Sequence, residues 1–178
     1  DAIIGFGIND QEQNLFPPPP DLAARAQHAF GSALPLELAI PTLKMDAPVV
    51  PVGYGMTEDG HILWHSPGWN SGFLITGSAP GQGGNAVFYG HNNINGSIFR
   101  GLDQLGIGDE IIVRNANGFL YYVVGSVEIF PEELSSEAER RAHLSYFMRT
   151  AHEQLTIMSC WPFSGNSHRV VVVANPAS

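Results

Sequence analysis

From residue 38 onward, short runs of β-branched and aromatic residues alternate with clusters of Gly, Pro, Asn and Asp, at intervals of roughly ten residues. This pattern is typical of a barrel or a sandwich of strands, in which helices are the minority. The segments that carry it are Leu38–Lys44, Val49–Tyr54, His61–Trp64, Asn85–Tyr89, Glu110–Arg114, Phe119–Phe130, Leu155–Ser159 and Arg169–Ala174. The predicted fold class is therefore mainly β, with about eight strands.

Two of these segments, Glu110–Arg114 and Phe119–Phe130, flank the sequence Asn115-Ala116-Asn117-Gly118. Its Asn-Gly ending supplies the residue with positive φ that a tight connection between antiparallel strands requires. The sequence therefore predicts a β-hairpin at this point.

The start of the chain has a different character, with four consecutive prolines that favour extended polyproline II and cannot continue a helix. After them, Asp21 can cap a short helix that runs to Phe30, because apolar residues recur at helical spacing, and Gly31 is a suitable stop. We predict that residues 1–37 form a linker or arm with a short helix, and that residues 38–178 form one barrel domain. The arm is either a spacer or a lid across a groove.

Two stretches interrupt the strand pattern with helical spacing. The first is Ser97–Leu105, and the second is Ser135–His152, where hydroxyl and acidic residues stand at the positive end of a helix. We predict short helical insertions at both. His143 and His152 then belong to the second insertion, where a solvated polar face is expected.

Composition narrows the classes of function. The chain has 178 residues, enough for one domain with a core but not for two. Eight Lys and Arg against 17 Asp and Glu give a net charge of −9, so the basic surface expected of a nucleic-acid-binding protein is missing. No apolar run approaches the ~20 residues needed to cross a bilayer. Because the chain begins at Asp1 rather than Met, we expect membrane association to run through an anchor absent from this sequence.

The chain has one cysteine, Cys160, which excludes an internal disulfide and a thiolate zinc cluster but leaves a reactive thiol possible. It ends the apolar run that begins at Leu155, and Trp161-Pro162 follows, so a strand should stop there and present the thiol at its end. The competing interpretation is a small buried core residue, which is common for free cysteine.

Two further polar residues stand at strand ends. His91 follows the run Asn85–Tyr89 after Gly90, and Arg169 opens the run that ends at Ala174. A Cys–His pair supplies a nucleophile and a proton carrier, and a guanidinium supplies fixed donors for an oxyanion. Together these groups suffice for acyl transfer, although the sequence alone does not show that the three strand ends converge.

Several short motifs carry a resemblance to a known family. Each motif alone is weak evidence for a family, but their order and spacing together are specific. The motifs are Pro80–Val87, Gly90-His91-Asn92, Ile98–Leu102, Leu105–Glu110, Thr156-Ile157-Met158-Ser159-Cys160 and His168–Val172. Over residues 38–176 the chain resembles the sortases, cysteine transpeptidases of the bacterial cell surface. The motif Thr-Leu-x-Thr-Cys of that family appears here with Ile for Leu and Ser for the second Thr, so a hydroxyl is kept before the cysteine.

The resemblance implies an eight-stranded sortase-like β-barrel with short helical insertions and a reaction in two steps. The thiolate of Cys160 attacks a backbone carbonyl of a sorting signal of the Leu-Pro-x-Thr-Gly type, and an amine acceptor then releases the thioacyl group as a new amide. His91 would carry the proton and Arg169 would hold the oxyanion or the substrate carbonyls. Ser159 and Trp161 are the candidate substrate-binding residues. The implied location is the extracellular face of the bacterial cell membrane.

Metal sites are weaker interpretations. His61 and His65 are four residues apart, but the residues between them read as a strand, which favours an ordinary barrel face. The acidic residues that could bind calcium, as in some sortases, are Asp46, Glu58, Asp59, Glu132 and Glu133. Their spacing matches such a site poorly. We therefore expect no metal and no organic cofactor, with calcium as the lesser alternative.

Some alternatives remain open at this stage. The chain could be a non-catalytic surface β-barrel that binds peptide or glycan, or a cysteine peptidase in which water resolves the intermediate. The acceptor amine could come from a peptidoglycan precursor or from a pilin lysine. Trp161 could wall the groove or cover the barrel end, and His168 should point to the sheet face opposite Arg169.

Overall fold

Strands are the main regular secondary structure in this computed structural model, which describes residues 17–56, 58, 62–92, 96–131, 136–165 and 167–178. Two α-helices lie among these residues, α1 (Leu22–Phe30) and α2 (Glu137–Leu144). The strands are β1 (Glu37–Ile40), β2 (Met45–Val52), β3 (Tyr54–Met56), β4 (Ile62–Trp64), β5 (Ser71–Leu74), β6 (Asn85–Tyr89), β7 (Glu110–Asn115), β8 (Gly118–Pro131), β9 (Gln154–Trp161) and β10 (His168–Pro176).

Eight of these strands close into a barrel in the order β1-β2-β5-β6-β9-β10-β8-β7, and β7 pairs with β1. The pairs β2–β5 and β6–β9 are parallel, and the other pairs in the barrel are antiparallel. β3 and β4 form a separate two-stranded hairpin between β2 and β5. The predicted fold class, a mainly β eight-stranded barrel with short helices, is confirmed.

The first predicted strand ends earlier than expected. β1 stops at Ile40, a 3₁₀ turn occupies Pro41–Leu43, and Lys44 is left-handed with φ 50°. This reversal lets β2 return antiparallel to β1. Pro41 explains the stop, because proline offers no N–H to a strand ladder.

Two other parts of the strand prediction differ from the structure. The segment Val49–Tyr54 is shared between β2 and β3, with Gly53 between them. β5 was missed altogether, because its four residues include Ser71 and Gly72 and show little of the β-branched character that marks a strand.

The hairpin between β7 and β8 is confirmed. Asn115 pairs with Gly118, which has φ 130°, and the Asn115 side chain accepts a 2.9 Å hydrogen bond from the backbone N–H of Asn117. The Asn-Gly ending therefore provides the positive φ that the sequence analysis expects.

α1 has the predicted extent but not the predicted cap. It ends at Gly31, whose φ is 54°, whereas the Asp21 side chain makes no capping hydrogen bond and lies 3.8 Å from Arg25 instead. Its last ring, Phe30, packs edge-on against Phe73 of β5 at 5.3 Å between centroids. The helix is thus fixed to the barrel by apolar contacts.

The helical insertions are shorter than predicted. Ser97–Leu105 forms turns and a 3₁₀ helix at Leu102–Gln104, not an α-helix. In the second insertion, Ser136 and Glu139 form a capping box at the start of α2, and the helix ends at Leu144. His152 therefore lies outside the helix, and Ser135 lies outside the described residues.

The two faces of β6, β9 and β10 belong to different apolar clusters, because successive side chains on a strand point to opposite sides. The inner face looks into the barrel and carries Ala86, Phe88, Leu155, Ile157, Val170 and Val172. The outer face carries Val87, Tyr89, Met158, Cys160 and Val171. Trp64 from β4 and Phe147 cover the outer face, with their rings 5.5 Å apart.

Asn85, at the start of β6, fixes the segment that crosses the outer face after α2. Its amide nitrogen donates to the carbonyls of Tyr146 and Met148 at 2.7 and 3.1 Å, and its amide oxygen accepts from Thr156 Oγ1 at 2.8 Å. Thr156 of the cysteine motif is therefore a structural residue at the far end of β9. Within the described ranges, no helix is long and apolar enough to span a membrane.

Candidate active site

Strand pairing brings the three candidate catalytic residues to one end of the outer face. Arg169 of β10 is the direct register partner of Cys160 on β9. On the other side of β9, the parallel register pairs Tyr89 with Met158, and the Ser159 hydroxyl donates to the Gly90 carbonyl, so His91 follows directly where β6 ends against the Cys160 end of β9. The strand ends that the sequence leaves separate thus meet in the fold.

Alternation also gives these three side chains a common face. Met158 and Cys160 share the outer face of β9, and Arg169 lies on the same side of β10 as Val171. His91 lies two residues beyond Tyr89, which belongs to that outer cluster. The site is therefore built on the outside of the barrel wall and not in its interior.

The backbone before His91 is held by a close approach that only glycine permits. A Cβ at Gly90 would lie 2.8 Å from Cδ2 of Phe99 and 3.1 Å from Cδ1 of Ile98. Phe99 is buried, and its N–H donates to the His91 carbonyl at 3.1 Å. The Gly-His step therefore lets the following loop pack directly against the end of β6.

Ser159 alternates with Cys160 and points away from it. Its hydroxyl donates to the Gly90 carbonyl at 2.8 Å, and the side chain is buried. The hydroxyl that the sequence analysis noted therefore ties β9 to the end of β6 that carries His91. A contact of Ser159 with substrate stays a prediction.

Burial sets the electrostatic character of the site. His91 and Cys160 are each 1% exposed, and Arg169 is 2% exposed. The Arg169 Nη1 donates to the His168 carbonyl at 2.9 Å, which fixes one arm of the guanidinium. A charged group in such a water-poor place interacts strongly with a charge that develops beside it.

On β8, the strand that pairs with the other side of β10, the residue opposite Arg169 is aromatic. Phe130 of β8 is the register partner of Arg169, and the His143 ring stacks on Phe130 with centroids 3.7 Å apart. The prediction that His143 lies on a solvated face is therefore wrong, since α2 turns this residue toward the outer face.

Trp161 lies on the opposite face from Cys160. It packs against the inner cluster, and its ring meets the His168 ring edge-on at 5.5 Å between centroids. His168 thus points away from Arg169, as the alternation predicts. The contacts of Trp161 are those of a residue at the barrel end, and its role in substrate binding stays a prediction.

His65 is buried and serves as a hydrogen-bond acceptor. Its Nδ1 accepts from the Gly53 N–H at 3.1 Å, and its carbonyl accepts from the Tyr89 hydroxyl. Burial lowers the pKa of His65 below its usual value of 6.5, which favours the neutral ring that can accept this hydrogen bond. His65 is thus a structural residue of the outer face.

The metal interpretations find no support among the described residues, where no group of three His, Cys, Asp or Glu could hold an ion. Asp59, His61, Glu132 and Glu133 lie outside the described residues.

Two polar residues near His91 have no role assigned in the sequence analysis: Ser66, and Asn92 of the Gly90-His91-Asn92 motif. The Oγ of Ser66 lies 3.3 Å from His91 Nε2, and Asn92 is buried with an amide nitrogen that has no hydrogen-bond partner among the described residues. Ser66 stands in a Ser-Pro-Gly sequence that reads as an ordinary turn. Only the folded path of the chain places it at the histidine.

Comparisons with known proteins agree with this architecture. A family model described as the sortase domain matches residues 38–177. The sortase C1 of GBS Pilus Island 1 is 22% identical, with a TM-score of 0.60 over 80% of this chain and 63% of that one. Sortase C-1 from Streptococcus pneumoniae is also 22% identical, with a TM-score of 0.60 over 80% of this chain and 66% of that one.

A pilus-related sortase C of Group B Streptococcus is 18% identical, with a TM-score of 0.59 over 83% of this chain and 69% of that one. The chain therefore spans about two thirds of the length of these solved structures. No curated protein matches the sequence significantly.

Proposed function

The chain belongs to the sortase family, and from this premise we propose that it is a transpeptidase that cleaves a sorting signal through a thioester on Cys160. The family acts on sorting signals at the bacterial cell surface, and we place this chain's activity there. The observation that carries the proposal is the register that sets Arg169 beside Cys160, with His91 at the adjoining strand end.

In the first step, the thiolate of Cys160 bonds to the carbonyl carbon of the signal, and the oxygen of that carbonyl becomes an oxyanion. Arg169 stabilises this charge with its fixed N–H donors. The carbon–nitrogen bond then breaks, and the departing nitrogen takes a proton from the His91 imidazolium. The thioacyl enzyme and a free amine are the products.

In the second step, an acceptor amine attacks the thioester and gives its proton to His91. The carbon–sulfur bond breaks, the thiolate of Cys160 returns, and a new amide joins the signal to the acceptor. Atoms and protons balance without a metal or an organic cofactor. Water in place of the amine would give hydrolysis.

Cys160, His91 and Arg169 are almost completely buried, so the proposed reaction requires that the substrate gain access to them. A peptide carbonyl has to reach the thiol, so substrate binding has to displace part of the chain that covers the site. Arg100 and Phe163, which stack at 3.9 Å, join the loop after β6 to the loop between β9 and β10. This contact is a candidate for such a movement.

The test is product analysis with sorting-signal peptides of the Leu-Pro-x-Thr-Gly type, each with and without an added amine. The amines are a peptidoglycan-like oligoglycine and a pilin-type lysine peptide. We expect an amide product that requires the amine and is absent with Cys160→Ala. Cleavage at the same rate and with the same products regardless of amine would indicate a peptidase instead.

The burial of Cys160 also favours a second candidate function, a non-catalytic peptide-binding barrel with an inert thiol. Alkylation separates the two. If the Cys160 thiol is not alkylated at neutral pH, even with signal peptide bound, the inert barrel is favoured. If it is alkylated, and the signal peptide changes the rate of alkylation, the enzyme is favoured.

A further inference from the structure

Ser66 makes a contact with the active-site histidine that the chemistry above does not use. Its Oγ lies 3.3 Å from His91 Nε2, and it also accepts a hydrogen bond from the Gly68 N–H at 3.2 Å. Both Ser66 and His91 are buried. We propose that Ser66 is a positioning residue that donates its hydroxyl proton to His91 Nε2 whenever the ring is neutral, as it is between departure of the first amine and attack of the acceptor, and so keeps the single ring proton on Nδ1.

The direction of the hydrogen bond follows from the second contact. The Gly68 N–H occupies one lone pair of the hydroxyl, and a hydroxyl that accepts a hydrogen bond becomes a better donor. A neutral imidazole has one donor and one acceptor nitrogen, so a hydroxyl that donates to Nε2 leaves the ring hydrogen on Nδ1. The hydroxyl keeps another lone pair, with which it can accept from Nε2 once the imidazolium forms.

The chain around Ser66 is held firmly enough for this role. The preceding carbonyl, of His65, accepts from the Tyr89 hydroxyl inside the outer cluster. The following carbonyl, of Pro67, accepts from both the backbone and the side-chain nitrogen of Asn70 at 3.2 Å. A polar group fixed on both sides orients its partner at little entropic cost, which is how supporting residues hold catalytic side chains.

The catalytic consequence rests on the proposed function of the site. A fixed ring orientation and tautomer determine which nitrogen gives a proton to the departing amine. Loss of Ser66 should therefore slow thioacyl formation and leave the KM for the signal peptide nearly unchanged. We expect a decrease in kcat of about 10-fold or more, a part of the roughly 100- to 10,000-fold that positioned proton transfer contributes, because the ring itself is retained.

The test measures the His91 ring directly and needs no substrate. Nitrogen-15 histidine labelling of the full chain and long-range proton–nitrogen spectra report which ring nitrogen carries the hydrogen, and His91→Gln assigns the signals. The variants are Ser66→Ala and Ser66→Thr. The control is Ser71→Ala, because Ser71 is buried nearby in sequence and its hydroxyl has no partner among the described residues.

In spectra recorded at a pH high enough for the ring to be neutral, we expect the Nδ1–H form in the wild type and in Ser66→Thr, a shift toward the Nε2–H form in Ser66→Ala, and no shift in Ser71→Ala. A wild-type ring protonated on Nε2, an unchanged ring in Ser66→Ala, or an equal shift in Ser71→Ala would each overturn the proposal. If the wild type forms no thioester, the proposed function fails while these spectra still decide the role of Ser66.

Discussion

The inner and outer faces of β6, β9 and β10 are built by the same strands, yet they have different chemistry. The inner positions that form the core on these strands, such as Ala86, Ile157 and Val172, are apolar and belong to one cluster, and Ser159 is a buried polar residue at the end of that face. The outer face is apolar over most of its length and ends in His91, Cys160 and Arg169. Adjacent residues on one strand, such as Ile157 and Met158, therefore belong to separate environments.

The difference shows how one sheet can combine a packed wall with a site that is proposed to be reactive. The inner face contributes stability through packing, so its side chains can change only in ways that keep their volume. The outer face carries the candidate site at its end, where hydrogen bonds hold the His91 and Arg169 side chains and apolar packing surrounds Cys160. Variants on the two faces should consequently separate stability from catalysis.

The largest expected effect on stability comes from the inner face. Ile157→Ala removes a fully buried side chain and should lower the unfolding free energy by about 2–5 kcal/mol, measured by urea denaturation. Ile157→Val should cost only about 0.5–1.5 kcal/mol. Reaction rates per folded molecule should stay at the wild-type level. A lower rate per folded molecule would contradict the proposal that the inner face serves stability and the outer face catalysis.

The next effect comes from the end of the outer face. Arg169→Lys keeps the charge but loses the planar fork of donors, so thioacyl formation should slow by about 100-fold. The matched control is Arg114→Lys, whose side chain is 37% exposed and pairs with Glu37 at 2.5 Å on the barrel surface. Equal rates of thioacyl formation for the two variants would show that Arg169 has no catalytic role.

The contact that links β9 to β6 should have an intermediate effect. Ser159→Ala leaves the buried Gly90 carbonyl without its 2.8 Å donor, which should lower the unfolding free energy by about 1–3 kcal/mol. Ser159→Thr keeps the hydroxyl and should restore most of that loss. A variant whose stability is unchanged but whose KM rises would instead favour substrate binding by Ser159.

The smallest effect is the pH dependence from His65. Because its pKa is lowered in the folded state, the unfolded chain binds the proton first as pH falls below 6.5. The wild type should therefore lose stability below that pH, at up to about 1.4 kcal/mol per pH unit for this group.

The control for this pH dependence is His65→Asn, which offers an acceptor to Gly53 without titrating in this range. The difference in stability between the wild type and this variant should change below pH 6.5 in favour of the variant, as followed by thermal melts. A constant difference from pH 7 to pH 5 would contradict the assigned cause.

Sequence reasoning selected the strand ends that carry the candidate site residues because each follows or precedes a long apolar run. Cys160 and Arg169 could be paired only through the register of β9 and β10, which no local pattern specifies. No sequence pattern marked Ser66 as a site residue. Its position depends on a turn that is held by a hydrogen bond from the Tyr89 hydroxyl of β6 to the His65 carbonyl. Long-range contacts thus supply what local patterns omit.

The errors in the fold have a similar cause. The helical spacing over Ser97–Leu105 was overridden because Phe99 is buried against Gly90 and draws the loop onto β6. β5 was missed because Gly72 weakens its pattern, although pairing with β2 and β6 makes it a strand. In both cases tertiary packing decides a conformation that local propensity does not.

The central claim is that the end of the outer face forms a thioester on Cys160. The direct measurement is the intact mass of the wild type after incubation with a pool of sorting-signal peptides and no amine, beside Cys160→Ala and the inner-face variant Ile157→Val. The account predicts an acyl mass increment on the wild type and on Ile157→Val, and none on Cys160→Ala. An increment that persists in Cys160→Ala, or a wild type that cleaves the peptides without ever carrying it, would contradict the account.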